Sequence, residues 1–307
     1  MNQNKPINIT NSAALILLTV LIGLALWVLK MPSFQSTPQP ENFDGSRALE
    51  DIAHQLSLGP RIPGTVGHAK MVEWLEDELA GQGWGVIIQE ATYLEKPIRN
   101  VIARRAGSAE DVPWIILGAH YDTRIHADQD PDPTKQNLPV LGANDGASGV
   151  AVLTELARTI PQDFPGEIWL VFFDAEDNGR LPGWDWILGS RAFVEQLEDL
   201  PDAVIIVDMI GDADLNIMME RNSDPTLVAE LWEQAAALGF SNHFIAVPGY
   251  SILDDHTPFL EAGIPAVDII DFDYPYWHTT EDTIDKVSAE SLQIVGETLL
   301  AWLESKR

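Results

Sequence analysis

The sequence predicts an α/β domain, a mostly parallel central sheet flanked by helices, preceded by one N-terminal transmembrane helix. Three observations carry this expectation. First, apolar runs end abruptly in chemistry-bearing residues. Trp114-Ile115-Ile116-Leu117-Gly118-Ala119 stops at His120-Tyr121-Asp122, and Phe172-Phe173 passes into Asp174-Ala175-Glu176-Asp177. Val204-Ile205-Ile206-Val207 stops at Asp208, and the run 266–270 leads through a short loop to His278. Unbroken apolar runs of this length are what strands buried on both faces require. Second, segments of helical spacing alternate with these runs, the pattern of a parallel sheet. Third, an uncharged apolar run at 13–29 stands apart from the rest.

That first run is at the short edge of what crosses a bilayer as a helix. No small-residue cleavage site follows; Lys30-Met31-Pro32-Ser33-Phe34 comes instead, so residues 1–30 read as an uncleaved anchor rather than a signal peptide. Lys5 and Lys30 flank it almost symmetrically, and orientation is weakly encoded. A large acidic domain behind a single anchor is expected outside the cytoplasm. Residues 31–43 read as a flexible tether, because 31–41 is rich in Pro, Ser and Gln.

Beyond it, helical spacing covers 46–56 and 68–81, the latter with a Trp74, Leu75 and Leu79 face. Strands are expected over 84–90 and 98–104, then the strand ending at His120. Gly142-Ala143-Asn144-Asp145-Gly146 opens a helix over 147–158. A strand at 168–174, a helix at 191–197, a strand at 203–208 and a helix at 225–237 follow. A strand at 266–271 and a terminal helix at 288–304 complete one domain over 44–307. No repeat and no second shift in composition interrupts it.

Composition narrows the function classes. With 47 acidic against 18 basic residues the formal charge is −29, a surface that repels phosphate backbones and excludes nucleic acid as a partner. The absence of cysteine removes disulfides, thiolate metal sites and thiol nucleophiles.

Five residues with metal-ligand chemistry lie beside strand ends: His120, Asp145, Asp177, Asp208 and His278. Ligands bind at the carboxyl ends of parallel strands in open α/β sheets. One such residue alone would be an ordinary polar side chain, and acids are common in this chain. The conjunction is informative, since the chain holds only 7 histidines. Two imidazoles with three carboxylates and no thiolate suit zinc, as one ion or as a pair bridged by a carboxylate. Glu176 adjoins Asp177 but should point elsewhere as the chain leaves the strand. It is thereby placed for general acid/base work beside the cation.

These residues sit in motifs that resemble the zinc-dependent aminopeptidases of the double-zinc exopeptidase family and their relatives, the glutaminyl cyclases. The matching pieces run in order from Gly59-Pro60-Arg61-Ile62-Pro63-Gly64-Thr65-Val66-Gly67-His68 to Tyr276-Trp277-His278-Thr279-Thr280. Between them come Gly118-Ala119-His120-Tyr121-Asp122-Thr123, Asn144-Asp145-Gly146-Ala147-Ser148-Gly149, Phe172 to Asp177 and Leu188-Gly189-Ser190-Arg191. Asp208-Met209-Ile210-Gly211 and Asp254-Asp255-His256-Thr257-Pro258-Phe259 complete the set. The resemblance implies a zinc exopeptidase fold and a substrate peptide with a free N-terminus. It places His120, Asp145, Asp177, Asp208 and His278 on metal positions and Glu176 on the catalytic base.

Several features resemble the cyclase branch. Trp277 precedes His278, Trp184 and Trp186 lie shortly before Gly189, and the Asp254-Asp255-His256 stretch has the cyclase form. In that branch a single zinc is held by the equivalents of Asp145, Asp177 and His278. Asp208 and Asp254 then join Glu176 in proton handling, and Trp277, Trp184 and Trp186 wall the substrate pocket. His120 and Asp208 become ligands where a second zinc binds, as in the aminopeptidases. Departures from the animal cyclases are Asp268 in place of a His, a different loop from Asp177 to Gly189, and no cysteine pair. The implied activity is cyclisation of N-terminal glutamine to pyroglutamate with release of ammonia. The alternatives are hydrolytic removal of N-terminal residues and a non-catalytic ectodomain of the same fold.

Overall fold

Period-two alternation along the apolar runs decides which core each side chain enters. In the computed structural model, which describes residues 42–107 and 112–307, these runs form strands. They are β1 (Gly85–Tyr93), β2 (Lys96–Arg105), β3 (Trp114–His120), β4 (Glu167–Phe173) and β5 (Ala203–Asp208), with β6 (Ile217–Met219), β7 (Phe244–Pro248) and β8 (Ala266–Ile270). The main sheet has six strands in the order β1-β2-β4-β3-β5-β8, while β6 and β7 pair separately. Strands β4, β3, β5 and β8 run parallel to one another, and β1 and β2 add a hairpin at one edge whose inner strand, β2, pairs antiparallel with β4.

The helices are α1 (Gly45–Ser57), α2 (Val66–Gly81), α3 (Ala147–Thr159), α4 (Leu188–Val194), α5 (Pro225–Ala237), α6 (Thr257–Glu261) and α7 (Ala289–Glu304). Ile115, Leu117, Leu170, Phe172, Ile205 and Val207 face the larger core, where α1, α2, α3, α5 and α7 pack. Their sequence neighbours Ile116, Val171, Phe173, Val204 and Ile206 face the other core, with Phe193 of α4 and Phe259 of α6. Both faces of the parallel strands are therefore covered, as the unbroken apolar runs require.

Three features differ from the sequence expectation. The helix expected at 191–197 forms at Leu188–Val194, because Leu188 and Ala192 pack on Ile98 and Ala175 and start it earlier. Strand β1 runs on to Tyr93, turning through Leu94 and Glu95 at positive φ into β2. The short elements β6, β7 and α6 carry too little periodicity to be read from sequence. Among the described residues no helix is long and apolar enough to cross a membrane, and the spanning run expected at 13–29 lies outside them. The described residues fall within one compact unit.

The chain passes from β3 to β4 on one side and later enters β5 on the other side of β3. This reversal of strand order opens a crevice at the carboxyl ends. Pairing of β3 with β5 stops at Gly118↔Ile206, so His120 and Asp208 lie beyond the last residues that these two strands pair with each other.

Candidate metal centre

The crevice gathers the five expected ligands into two triplets that share one residue. His120, Asp145 and Asp208 form one; Asp145, Asp177 and His278 form the other; all are buried. His120 Nε2 lies 3.1 Å from Asp145 Oδ1 and 3.2 Å from Asp208 Oδ1. His278 Nε2 lies 2.7 Å from Asp177 Oδ1 and 3.8 Å from Asp145 Oδ2. Asp145 thus offers one carboxylate oxygen to each side.

The loop leaving β3 orients the ligands. His120 Nδ1 faces Asp122 Oδ1 at 3.5 Å. The Asp122 carboxylate also accepts the Glu176 N–H at 2.9 Å and the Asn178 side-chain amide at 3.1 Å. Two residues on, the buried Arg124 guanidinium donates to the carbonyls of Asp177 and Gly179, each at 3.0 Å, and to Asp128 at 2.8 and 3.1 Å. Asp128 in turn faces His278 Nδ1 at 3.4 Å. A carboxylate behind each ligating imidazole fixes ring orientation and raises ligand basicity. Asp145 is aimed from below by Asp282, which accepts the N–H groups of Asn144 and Asp145 at 2.9 and 3.2 Å. The neck of this loop is closed by Arg61, fully buried, donating to the carbonyls of Tyr121, Leu141 and Gly142 at 2.8–2.9 Å.

Left-handed backbone recurs here without glycine. Ala175 (φ 53) precedes Glu176, Met209 (φ 49) follows Asp208, and His278 itself has φ 55. Each such residue costs on the order of 1 kcal/mol and persists because its surroundings hold it. Gly146 has φ 89, and a Cβ there would meet the Asp122 carbonyl at 2.9 Å and the His120 ring at 3.1 Å. Glycine is required at that point.

Glu176 belongs to neither triplet, although its carboxyl is buried beside both. Burial pushes it well above the ordinary carboxylate range; Asp254 and Asp177 add to this against the pull of His120. Asp254 is buried too, and its backbone N–H meets Thr257 Oγ1 at 3.3 Å. The tryptophans are divided. The Trp277 ring stacks on His278 at 3.7 Å, and Trp186 lies nearly parallel to His278 at 5.9 Å. Trp184 instead packs on the cluster of Ile98, Ala175 and Leu188, with the Lys96 ammonium 4.2 Å above its ring.

The electrostatics describe a site with too much negative charge for itself. Burial raises Asp208 to about 7 despite His120, and burial with the Asp145 charge raises Asp177 to about 6. His278 is raised to about 9, because Asp177 and Asp128 outweigh the burial that would lower it. Asp145 Oδ2 and Asp177 Oδ2 are buried with no hydrogen-bond partner. Orphaned carboxylate oxygens converging with imidazole nitrogens are what a divalent cation satisfies, and this donor set fits zinc.

Sequence reasoning had not assigned Arg124, Asp128 or Asp282 to the site. Their roles arise from contacts across the chain, and only Asp122, two residues after His120, carried a local signal.

Comparison with known proteins agrees with the fold and the donor set. The profile of Peptidase family M28 matches residues 100–303. A Porphyromonas gingivalis glutaminyl cyclase is 34% identical, with a TM-score of 0.81 over 87% of this chain and 100% of that one. A Zn-dependent exopeptidase from Parabacteroides distasonis is 32% identical, with a TM-score of 0.79 over 86% and 99%. A leucine aminopeptidase precursor from Bacteroides thetaiotaomicron is 32% identical, with a TM-score of 0.80 over 86% and 98%. With an aligned sheet, matched motifs and the five-residue donor cluster in place, the chain belongs to peptidase family M28.

Proposed function

We propose that this chain is a zinc-dependent enzyme acting on peptide N-termini, and that it cyclises N-terminal glutamine to pyroglutamate with release of ammonia. The observation carrying this reading is the placement of the Trp277 and Trp186 rings against His278 of the Asp145, Asp177 and His278 triplet. Apolar walls around a few convergent polar groups fit one small side chain. The similarity to the Porphyromonas gingivalis glutaminyl cyclase supports it.

Asp145, Asp177 and His278 would hold the ion, and Trp277 and Trp186 would position the glutamine side chain beside it. Zinc, when bound, acts as a Lewis acid toward the γ-carbonyl. The peptide's own α-nitrogen attacks that carbon, and the new C–N bond replaces the bond to the side-chain nitrogen. Glu176 takes the proton from the amine and returns it to the departing nitrogen, which leaves as ammonia. The Asp254 charge acts on both Glu176 and Asp208, and the two aspartates tune that exchange.

One observation favours a second reading. The His120, Asp145 and Asp208 triplet is also complete, as a two-metal aminopeptidase would need. There Glu176 would take a proton from water and pass it to the leaving amine. Two peptides decide between them, one beginning with glutamine and one with leucine, with products read by mass spectrometry beside metal stoichiometry. Ammonia loss from the first alone is the expected result. Release of free leucine with two metals per chain would establish the aminopeptidase instead, and turnover of neither peptide would defeat both.

We further propose that residues 13–29 hold the chain in a membrane with the catalytic domain on the extracytoplasmic side. The full-length protein should then sediment with membranes and resist carbonate extraction, and protease added to intact cells or spheroplasts should reach it. Recovery in the soluble fraction would refute the anchor.

A further inference from the structure

We propose that an exposed aromatic ledge beside the metal centre binds the second and third residues of the peptide substrate and selects apolar side chains there. The proposal rests on the reading of the site as one that acts on peptide N-termini. Trp277, stacked on His278, is the inner end of a ladder of three rings. Its centroid lies 5.7 Å from that of Phe272, which lies 5.4 Å from that of Tyr250.

The outer rings are open to solvent: Phe272 is 37% and Tyr250 45% exposed. Tyr250 is nevertheless held in place, its hydroxyl donating to Asp273 at 2.7 Å. Leu253, 49% exposed, immediately precedes the buried Asp254. Two chain segments, 250–254 and 272–278, therefore each run from an exposed apolar side chain to a residue of the site.

That continuity identifies the occupant. A substrate whose first residue lies against Trp277 must lead its following residues outward. An extended chain advances about 3.3 Å per residue, so the two ring-to-ring steps match its next two or three residues. Preoriented rings gain from covering an apolar side chain and lose little conformational freedom in doing so.

The test uses zinc-loaded full-length protein and two peptide series, beginning with glutamine or with leucine, carrying Gly-Gly or Phe-Phe at positions two and three. kcat/KM is measured for whichever series is turned over, and Kd by calorimetry for both. The wild type should prefer Phe-Phe by roughly 10- to 100-fold. Phe272→Ala and Tyr250→Ala should each reduce that preference by roughly tenfold, mainly through KM, while Phe272→Leu keeps most of it. Equal handling of both sequences by the wild type, or a preference untouched by either alanine variant, overturns the ledge. So does a concentration-dependent dimer abolished by the same substitutions without any change in preference. Turnover of neither series defeats the reading of the site, and the calorimetric preference still decides the ledge.

Discussion

Glu176→Gln should lower kcat by roughly 10²- to 10⁴-fold while zinc content stays at the wild-type level. The substitution keeps the size of the side chain and removes its capacity to accept a proton. Glu176 lies outside both triplets, and its backbone N–H to Asp122 is unaffected by the change, so neither metal position loses a donor. Turnover and metal analysis on the same sample separate chemistry from binding. A variant that keeps both metal and full activity would remove Glu176 from the proton-transfer role. A variant that loses metal would place it among the ligands.

Asp145→Asn should have the broader effect, because one carboxylate serves both triplets. Its Oδ1 faces His120 and its Oδ2 faces His278. The amide removes the charge and leaves one oxygen where two are used. Loss of residues that merely orient ligands costs about 10- to 100-fold in metal affinity, and loss of the shared ligand should exceed that. Activity should fall to background, with metal bound at neither position, while circular dichroism shows an intact fold. His120→Ala, by contrast, leaves the Asp145, Asp177 and His278 triplet whole and should still bind one ion. An Asp145→Asn variant with full metal content would contradict the bridging geometry.

The strand ends were legible because burial on both faces forces unbroken apolar runs, and a polar residue that closes such a run has few reasons to be there. Asp208 is the last residue of β5 and His120 the last of β3, both where the runs stop. Pro225–Ala237 was also readable, with Asp224 as its cap and a proline in its first turn. Other features lay beyond local sequence. The three residues of β6 and the five of α6 take their shape from neighbours rather than from periodicity. Trp184 and Trp186 look equivalent in sequence. Only the path of the loop after Asp177 sends one ring to His278 and the other to the cluster around Ile98. Arg124 and Asp282 orient ligands by contacts spanning 53 and 137–138 positions, which no motif window contains.

The buried Arg61 also bears on where this fold can change length. By binding the carbonyls on both sides of the excursion between Tyr121 and Gly142, it closes that excursion at its base. Gln129 and Asp130 are tied as well, through the His278 carbonyl and Thr280. The stretch 131–139 beyond them is largely exposed. Residues inserted there would lengthen a loop whose ends are already fixed, a cost of about 0.6 kcal/mol per doubling. The ligand spacing would not move with them. The tip of this excursion is thus a place where lineages can diverge in size and surface while inheriting the same catalytic geometry.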